Sequence, residues 1–225
     1  MDYKEIIKKL ESLRNPKNVE GMARFGIRPK SKVFGIPIPE VRKIAKSIGK
    51  NHDLSLKLFD SGIHEARILA GLVADSEKLT EQQIEKWVKT FDSWDVVDQT
   101  CMNLFDKSKI AVKKIPEFVK REAEFEKRVA FALMAALASH DKKMTDKDFI
   151  KFFPLIKKAA ADERNFVRKA VNWALRGIGK RNKKLNLQAI KQAKEIQKLE
   201  SKSAKWIAKD AIRELTNNKV KSRLK

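Results

Sequence analysis

The sequence predicts an all-α protein built from repeated helical pairs. Apolar residues recur at helical spacing along nearly the whole chain, and no segment alternates with a period of two for long enough to form a convincing strand. Only 8 glycines and 6 prolines interrupt 225 residues. The charged fraction of 36%, rich in Lys and Glu, also favours helices.

The first helices are marked by local signals. Apolar residues between Ile6 and Leu13 have amphipathic spacing. Asn15 followed by Pro16 is typical of an N-cap with proline at the first helical position. Residues 26–38 carry two glycines, two prolines and basic pairs, which predicts a loop. We expect the next helix to start at Pro39.

Later helix starts are predicted from capping residues. Thr80 with Gln83, and Thr145 with Asp148, have the spacing of a capping box. Ser93 is placed to cap a helix that runs from Trp94 towards Phe105.

Internal repetition is the feature that defines the architecture. Four helical segments start with a basic residue and carry apolar residues six and seven positions further on; the basic residues are Arg67, Arg128, Arg168 and Lys205. The last three copies lie 40 and 37 residues apart, the period of HEAT-like (ARM-type) helical pairs. Such pairs bury their apolar faces only by stacking, which predicts one solenoid domain over residues 1–225. The alternative is chance similarity among amphipathic helices.

The charge balance indicates a polyanionic partner. Lys and Arg number 51 against 29 Asp and Glu, a formal net charge of +22. A field of this size attracts DNA, RNA or an acidic membrane surface, although a merely soluble lysine-rich protein has the same composition. In a solenoid, Arg128, Arg168 and Lys205 recur at one helical phase and would form a basic concave face. A duplex phosphate backbone would neutralise such a row.

Several protein classes are disfavoured. Cys101 is the only cysteine, so an intrachain disulfide is excluded and a reducing compartment is favoured. One Cys and three scattered His do not make a zinc cluster. The N-terminus is charged from Asp2 and no apolar run is long enough for a bilayer. We therefore expect a cytoplasmic, nucleoid-associated protein with no metal and no membrane partner.

The sequence contains four tryptophans, which differ in their surroundings. Trp87 and Trp206 follow apolar stripes and are predicted to be core. Trp94 and Asp98 are spaced i, i+4, which places them on one helix face, as suits a cationic or developing-cation ligand. The alternative is a structural pair: an anchoring Trp and a carboxylate near a helix N-terminus. Trp173 lies between Arg168 and Arg176, as on a nucleic-acid surface, or else in the core.

Several ordered blocks together resemble the HEAT-like DNA alkylation repair proteins, the AlkD type of alkylpurine DNA glycosylase. The resemblance spans nearly the whole chain and rests on residues 15–25, residues 34–39, Ser93-Trp94-Asp95-Val96-Val97-Asp98, Lys127-Arg128-Val129-Ala130 and residues 169–176. It implies excision of N3- and N7-alkylated purines from double-stranded DNA without metal or cofactor, with the lesion kept near the duplex.

The resemblance also implies roles for individual residues. The family's Trp and Asp four residues apart, a later Arg and a further Trp match Trp94, Asp98, Arg128 and Trp173. Asp98 would stabilise an oxocarbenium-like sugar and position water, because an alkylated cationic purine is already a good leaving group. The two indoles would offer π-faces to that cation, and Arg128 would hold a flanking phosphate.

The remaining predicted DNA contacts are Arg168, Arg176 and Lys205, and a monomer is expected. One departure from the family pattern is Ser93, where a second aromatic residue is expected directly before the matched Trp. A non-catalytic binder of damaged or branched DNA is therefore the alternative function. A HEAT-type protein scaffold is disfavoured, because binding a peptide requires no such positive surplus.

Overall fold

The computed structural model describes residues 1–224, and within them the chain is all-helical. In this described part the β-type pairing is limited to an isolated parallel bridge between Lys32 and Ile63. The predicted all-α class is confirmed. None of the helices in residues 1–224 combines the length and the apolar character needed to cross a membrane.

The chain forms two compact units, Met1–Ala111 and a second that begins at Val112. The helices of the first are α1 (Tyr3–Ser12), α2 (Pro16–Arg24), α3 (Ile38–Ile48), α4 (His52–Phe59), α5 (His64–Val73), α6 (Glu81–Thr90), α7 (Trp94–Asn103) and a 3-10 turn (Phe105–Lys107). Helix α8 (Lys109–Lys113) spans the boundary. The prediction of a single domain over residues 1–225 stays a prediction.

In the part of the chain that the structure describes, the second unit contains four helices of 14 to 17 residues together with four shorter ones. They are α9 (Ile115–Phe118), α10 (Glu124–His140), α11 (Asp146–Ile150), α12 (Phe153–Ala159), α13 (Asn165–Gly179), α14 (Lys183–Gln197), α15 (Lys202–Leu215) and α16 (Asn218–Lys221).

The predicted helix starts are largely confirmed. Asn15 accepts a hydrogen bond from the backbone N–H of Asn18 and caps α2. Thr80 caps α6 by accepting from Gln83, and Thr145 forms its predicted capping box with Asp148. The cap at Ser93 was predicted wrongly in one respect. Ser93 occupies the N-cap position of α7, but it makes no side-chain capping bond.

In the first unit the core is centred on α5. This helix packs against α1, α3, α4 and α7, and nine of its ten residues are buried, which explains why its sequence is apolar on most faces. Trp87 of α6 is 1% exposed and stacks on Phe59 with ring centroids 4.0 Å apart. The predicted core role of Trp87 is confirmed.

The loop that precedes α3 is held by a buried carboxylate. Glu65, on α5, accepts hydrogen bonds from the backbone N–H groups of Phe34 (3.0 Å), Gly35 (2.6 Å) and Ile36 (3.2 Å). Gly35 has a φ of 76°, and a Cβ there would collide with the carbonyl oxygen of Asn15. Glycine is therefore required at this point of the loop.

In the second unit, α10 packs against α13, and α13 packs against α14 and α15. These contacts join three of the helices in which the repeat was recognised, namely α10, α13 and α15. Eleven consecutive residues of α10, from Arg128 to Ala138, are buried. At Gly179 a Cβ would lie 2.7 Å from the side chain of Leu215 and 2.9 Å from that of Ala189. Glycine there allows α13, α14 and α15 to converge.

Candidate nucleic-acid interface

The pair Trp94 and Asp98 lies on the first turns of α7. Both side chains are partly exposed, whereas Val96, Val97 and Cys101 of the same helix are fully buried. The indole N–H of Trp94 donates to the carbonyl of Phe25 at 3.1 Å. Because the helix is anchored by its buried residues and the ring by this hydrogen bond, Trp94 is held in a fixed orientation one turn from Asp98.

The turn before α7 is fastened to the loop that precedes α3. The carboxylate of Asp92 accepts hydrogen bonds from the backbone N–H of Lys30 (2.9 Å) and of Ser31 (3.1 Å). It also forms an ion pair with Arg67 at 2.7 Å. The first residues of α7 are thereby positioned by α5 and by the loop together.

A second carboxylate, Asp95, is fixed beside the pair. It contacts Nε2 of the buried His64 at 2.8 Å and also receives the hydroxyl of Ser93, which explains why Ser93 does not cap the helix. Burial would raise the pKa of Asp95, but the hydrogen bond and electrostatic attraction of His64, with the hydrogen bond from Ser93, hold that pKa below its ordinary value. His64 and Asp95 line a cavity of about 640 Å³ within the first unit.

Arg128 is placed differently from the prediction that it belongs to an exposed basic row. It lies on α10, is 5% exposed, and its Nη1 donates to the carbonyl of Phe166 at 2.5 Å. The guanidinium thus helps to join α10 to the start of α13. Its role in holding a DNA phosphate stays a prediction. Trp173, on α13, is partly exposed.

Three pairs connect α13 with α15 at one constant separation. Each residue on α13 faces the residue 38 positions later, and the members on each helix are spaced by four. The pairs are Arg168–Trp206, Asn172–Asp210 and Arg176–Glu214. We call this set the α13–α15 ladder.

The core position predicted for Trp206 is wrong. It is 39% exposed, and the guanidinium of Arg168 lies over its ring at 5.2 Å from the centroid. Ile207 and Ala208 occupy the buried side of α15 in its place. The stripe around Trp206 contains apolar residues on two adjacent faces, and the packing of α15 against α13 and α14 selects which face is buried.

Arg176 is engaged within the protein. Its Nη1 donates to Glu214, and its Nε lies 3.6 Å from Asp210. Lys180 also contacts Glu214 at 2.6 Å. Burial would raise the pKa of Glu214, but the hydrogen bonds from Lys180 and Arg176 hold that pKa below its ordinary value. Arg176 therefore has its charge largely matched, whereas Lys205 is exposed.

The structure brings some predicted site residues together within each unit. Trp94 and Asp98 share one face of α7, and Arg168, Trp173 and Arg176 share α13. Sequence reasoning missed the bonds of Asp92, Asp95 and His64, because these partners are far apart in the chain. Within residues 1–224, no group of three or more His, Cys, Asp and Glu side chains is arranged to hold a metal ion.

The stacked helical pairs define a HEAT-like repeat protein. The DNA alkylation repair enzyme family matches residues 6–215 of the chain. The protein belongs to this family, and the resemblance found in the sequence is confirmed.

Two curated relatives come from Listeria. The uncharacterized protein Lin0241 of Listeria innocua is 23% identical over 215 residues, which cover 93% of this chain and 94% of the relative. The uncharacterized protein Lmo0209 of Listeria monocytogenes is 28% identical over 95 residues, covering 41% and 42% of the two chains.

A solved structure shares the fold. It is described as a new family of proteins related to the HEAT-like repeat DNA glycosylases with affinity for branched DNA structures. The TM-score is 0.78 at 20% identity, with 95% of each chain covered. This likeness confirms the HEAT-like fold.

Proposed function

We propose that this protein is a DNA glycosylase that hydrolyses the N-glycosidic bond of cationic N3- or N7-alkylated purines in duplex DNA. The observation that carries the proposal is the partly exposed Trp94–Asp98 pair on α7, with the indole anchored to Phe25, in a member of the DNA alkylation repair enzyme family.

The chemistry requires little from the protein. Alkylation at N3 or N7 gives the purine a positive charge, so the bond from C1′ to nitrogen breaks with its electron pair leaving on the base. The sugar becomes an oxocarbenium-like cation, which the carboxylate of Asp98 would stabilise. Water then adds at C1′ and loses a proton, for which Asp98 is the acceptor. The products are a neutral alkylated base and an abasic site.

The role of Trp94 follows from its orientation. An indole face attracts a cation, and the attraction is greatest when the ring does not have to reorganise. The hydrogen bond to Phe25 fixes the ring in advance.

Trp173 would offer the second aromatic face and Arg128 would bind a flanking phosphate. The exposed Lys205 and the partly exposed Arg168 would contact the phosphate backbone of the DNA. The net charge of +22 is consistent with such contacts. A nucleoid-associated monomer is part of the proposal.

Base release from duplex DNA containing 7-methylguanine tests the proposal, with Asp98→Asn beside the wild type. We expect release by the wild type and a roughly 100-fold or greater loss in the variant, the range for a residue that stabilises a transition-state charge. DNA affinity should stay similar. Asp53→Asn, which removes an exposed carboxylate of α4 in the same unit, should release base at the wild-type rate.

Two results would contradict the proposal. Undiminished release by Asp98→Asn would remove Asp98 from the reaction. No release by the wild type would remove the glycosylase activity itself.

A non-catalytic binder of damaged or branched DNA is the second candidate function. It is favoured by the solved structure of similar fold, whose family is described as having affinity for branched DNA. Ser93, which stands where the glycosylases carry another aromatic, supports the same alternative. Tight binding of a four-way junction without release of 7-methylguanine would select this function.

A further inference from the structure

Trp206 is exposed in a setting unlike that of the other tryptophans. Within the described part of the second unit, the large hydrophobic side chains that are exposed are Trp206, at 39%, and Leu187, at 69%. Leu187 lies on α14 and Trp206 on α15. The guanidinium of Arg168 lies over the ring of Trp206.

The first pair of the α13–α15 ladder differs from the other two in charge. Arg176 faces Glu214, and Asn172 faces Asp210, which Arg213 also contacts. Arg168 instead faces the neutral ring of Trp206. Glu163 attracts Arg168 electrostatically, and its carboxylate already accepts hydrogen bonds from Ser201 and Ser203.

The guanidinium of Arg168 is positioned mainly by stacking. Its hydrogen bond to Asn165 is long, at 3.4 Å, and its Nε has no hydrogen-bond partner within the described residues. A guanidinium held over an indole makes a composite surface that is aromatic, cationic and partly open to solvent.

Lysines extend this surface along α15. Lys202 and Lys209 precede and follow Trp206 by four and three residues, so they lie on the same face of the helix. Both are exposed. An aromatic ring between two lysines on one helix face is the arrangement that binds a base by stacking and its phosphates by charge.

We propose that Trp206, Arg168, Lys202 and Lys209 form a binding site for an unpaired nucleotide of DNA. A base within a duplex has both faces covered by its neighbours, so stacking on Trp206 selects a nucleotide outside the duplex. Single-stranded tails and flaps contain such nucleotides. The inference rests on the proposed function only in that the chain binds DNA, and it does not require base release.

The test compares a blunt duplex with the same duplex carrying a single-stranded tail, using the full chain at one salt concentration. The wild type should bind the tailed DNA more tightly. Trp206→Ala should weaken binding to tailed DNA by about tenfold, within the range for loss of one stacked base, and leave the blunt duplex unchanged. Trp206→Phe should retain most of the preference, because it keeps an aromatic face.

Leu187→Ala is the matched control, since it removes an exposed apolar side chain from a neighbouring helix of the same unit. It should leave both affinities unchanged. If Trp206→Ala does not fold, the double variant Lys202→Ala/Lys209→Ala replaces it and should lower the preference for tailed DNA. A polyglutamate competitor should displace the tail poorly, because it has charge but no bases.

Three outcomes would overturn the site. They are equal affinity of the wild type for both DNAs, an unchanged preference in every folded variant, and equal competition by polyglutamate.

Base release from a blunt duplex with 7-methylguanine is measured in parallel and should be unaffected by Trp206→Ala. Failure of that reaction in the wild type would contradict the glycosylase proposal and leave the preference for tails to be decided on its own.

Discussion

Arg67 in the first unit and Arg168 in the second occupy the same position of the repeat, yet they have different surroundings. Arg67 is 5% exposed, pairs with Asp92 at 2.7 Å, donates to the carbonyl of Thr90 at 2.6 Å and lies 4.7 Å from the ring centroid of Phe59. Arg168 also stacks on an aromatic ring, but that ring is exposed and no carboxylate pairs with the guanidinium among the described residues. The same repeat position therefore supplies a structural ion pair in one unit and a surface cation in the other.

The other two members of the series extend the comparison. Arg128 is buried and bonded to a carbonyl, as Arg67 is, whereas Lys205 is exposed. Burial therefore differs between residues at one position of the repeat: Arg67 and Arg128 bond within their units, whereas Arg168 and Lys205 reach solvent.

Arg67→Met would break the comparison most strongly. The change removes the ion-pair partner of Asp92, whose carboxylate then keeps only the backbone N–H groups of Lys30 and Ser31 in the loop before α3. We expect a loss of about 3 kcal/mol or more in the free energy of unfolding, as when one partner of a buried pair is removed. Urea unfolding followed by circular dichroism measures it.

Arg168→Met is the control for this prediction and should cost about 1 kcal/mol or less, because a partly exposed stack is lost. Equal losses in the two variants would show that the two arginines have the same structural role.

Arg176→Gln sharpens the comparison at an intermediate case, a partly exposed ion pair. At about pH 7 the expected loss is below about 1 kcal/mol. The pKa of Glu214 is lowered from 4.5 in the folded protein, so its stabilising contribution is present above that value and is lost as the pH falls through the folded pKa.

Unfolding in urea at neutral and acid pH checks this prediction. Arg176→Gln should reduce the loss of stability on acidification relative to the wild type, since Glu214 then keeps only Lys180. An acid profile identical to that of the wild type would mean that the pair contributes nothing to the pH dependence.

Lys205→Ala should have the smallest effect on stability, within about 0.5 kcal/mol, because the side chain is exposed. If Lys205 contacts a phosphate, the slope of log affinity for DNA against log salt should fall by about one. Lys57→Ala, an exposed lysine of α4 in the first unit, removes the same charge and serves as the control. Equal slopes for the two variants would count against a specific contact at Lys205.

Local patterns determined what the sequence could predict. The helix starts at Thr80 and Thr145 are predictable because a cap and its partner lie three residues apart, and the start at Asn15 because proline follows the cap directly. Trp94 and Asp98 were placed on one face because helical spacing fixes this without any other element. The period of the repeat, together with the resemblance of several ordered blocks, predicts the HEAT-like fold.

The parts that were missed depend on contacts between distant residues. The apolar neighbours of Trp206 predict a core residue, but the packing of α15 against α13 and α14 leaves its ring exposed. The burial of Arg128 depends on the carbonyl of Phe166, 38 residues away. A carboxylate such as Glu65, which organises a loop 30 residues earlier, carries no local signal of that role.

The two carboxylates that hold the loop before α3 also have a consequence for how the chain is made. Glu65 follows Gly35 by 30 residues, and Asp92 follows Lys30 by 62. During synthesis on the ribosome the loop emerges first and its N–H groups have only water as partners. The N-terminal segment therefore reaches its final arrangement only after the start of α7 has left the exit tunnel, and a nascent chain stalled before Asp92 still lacks one of the two side chains that hold this loop.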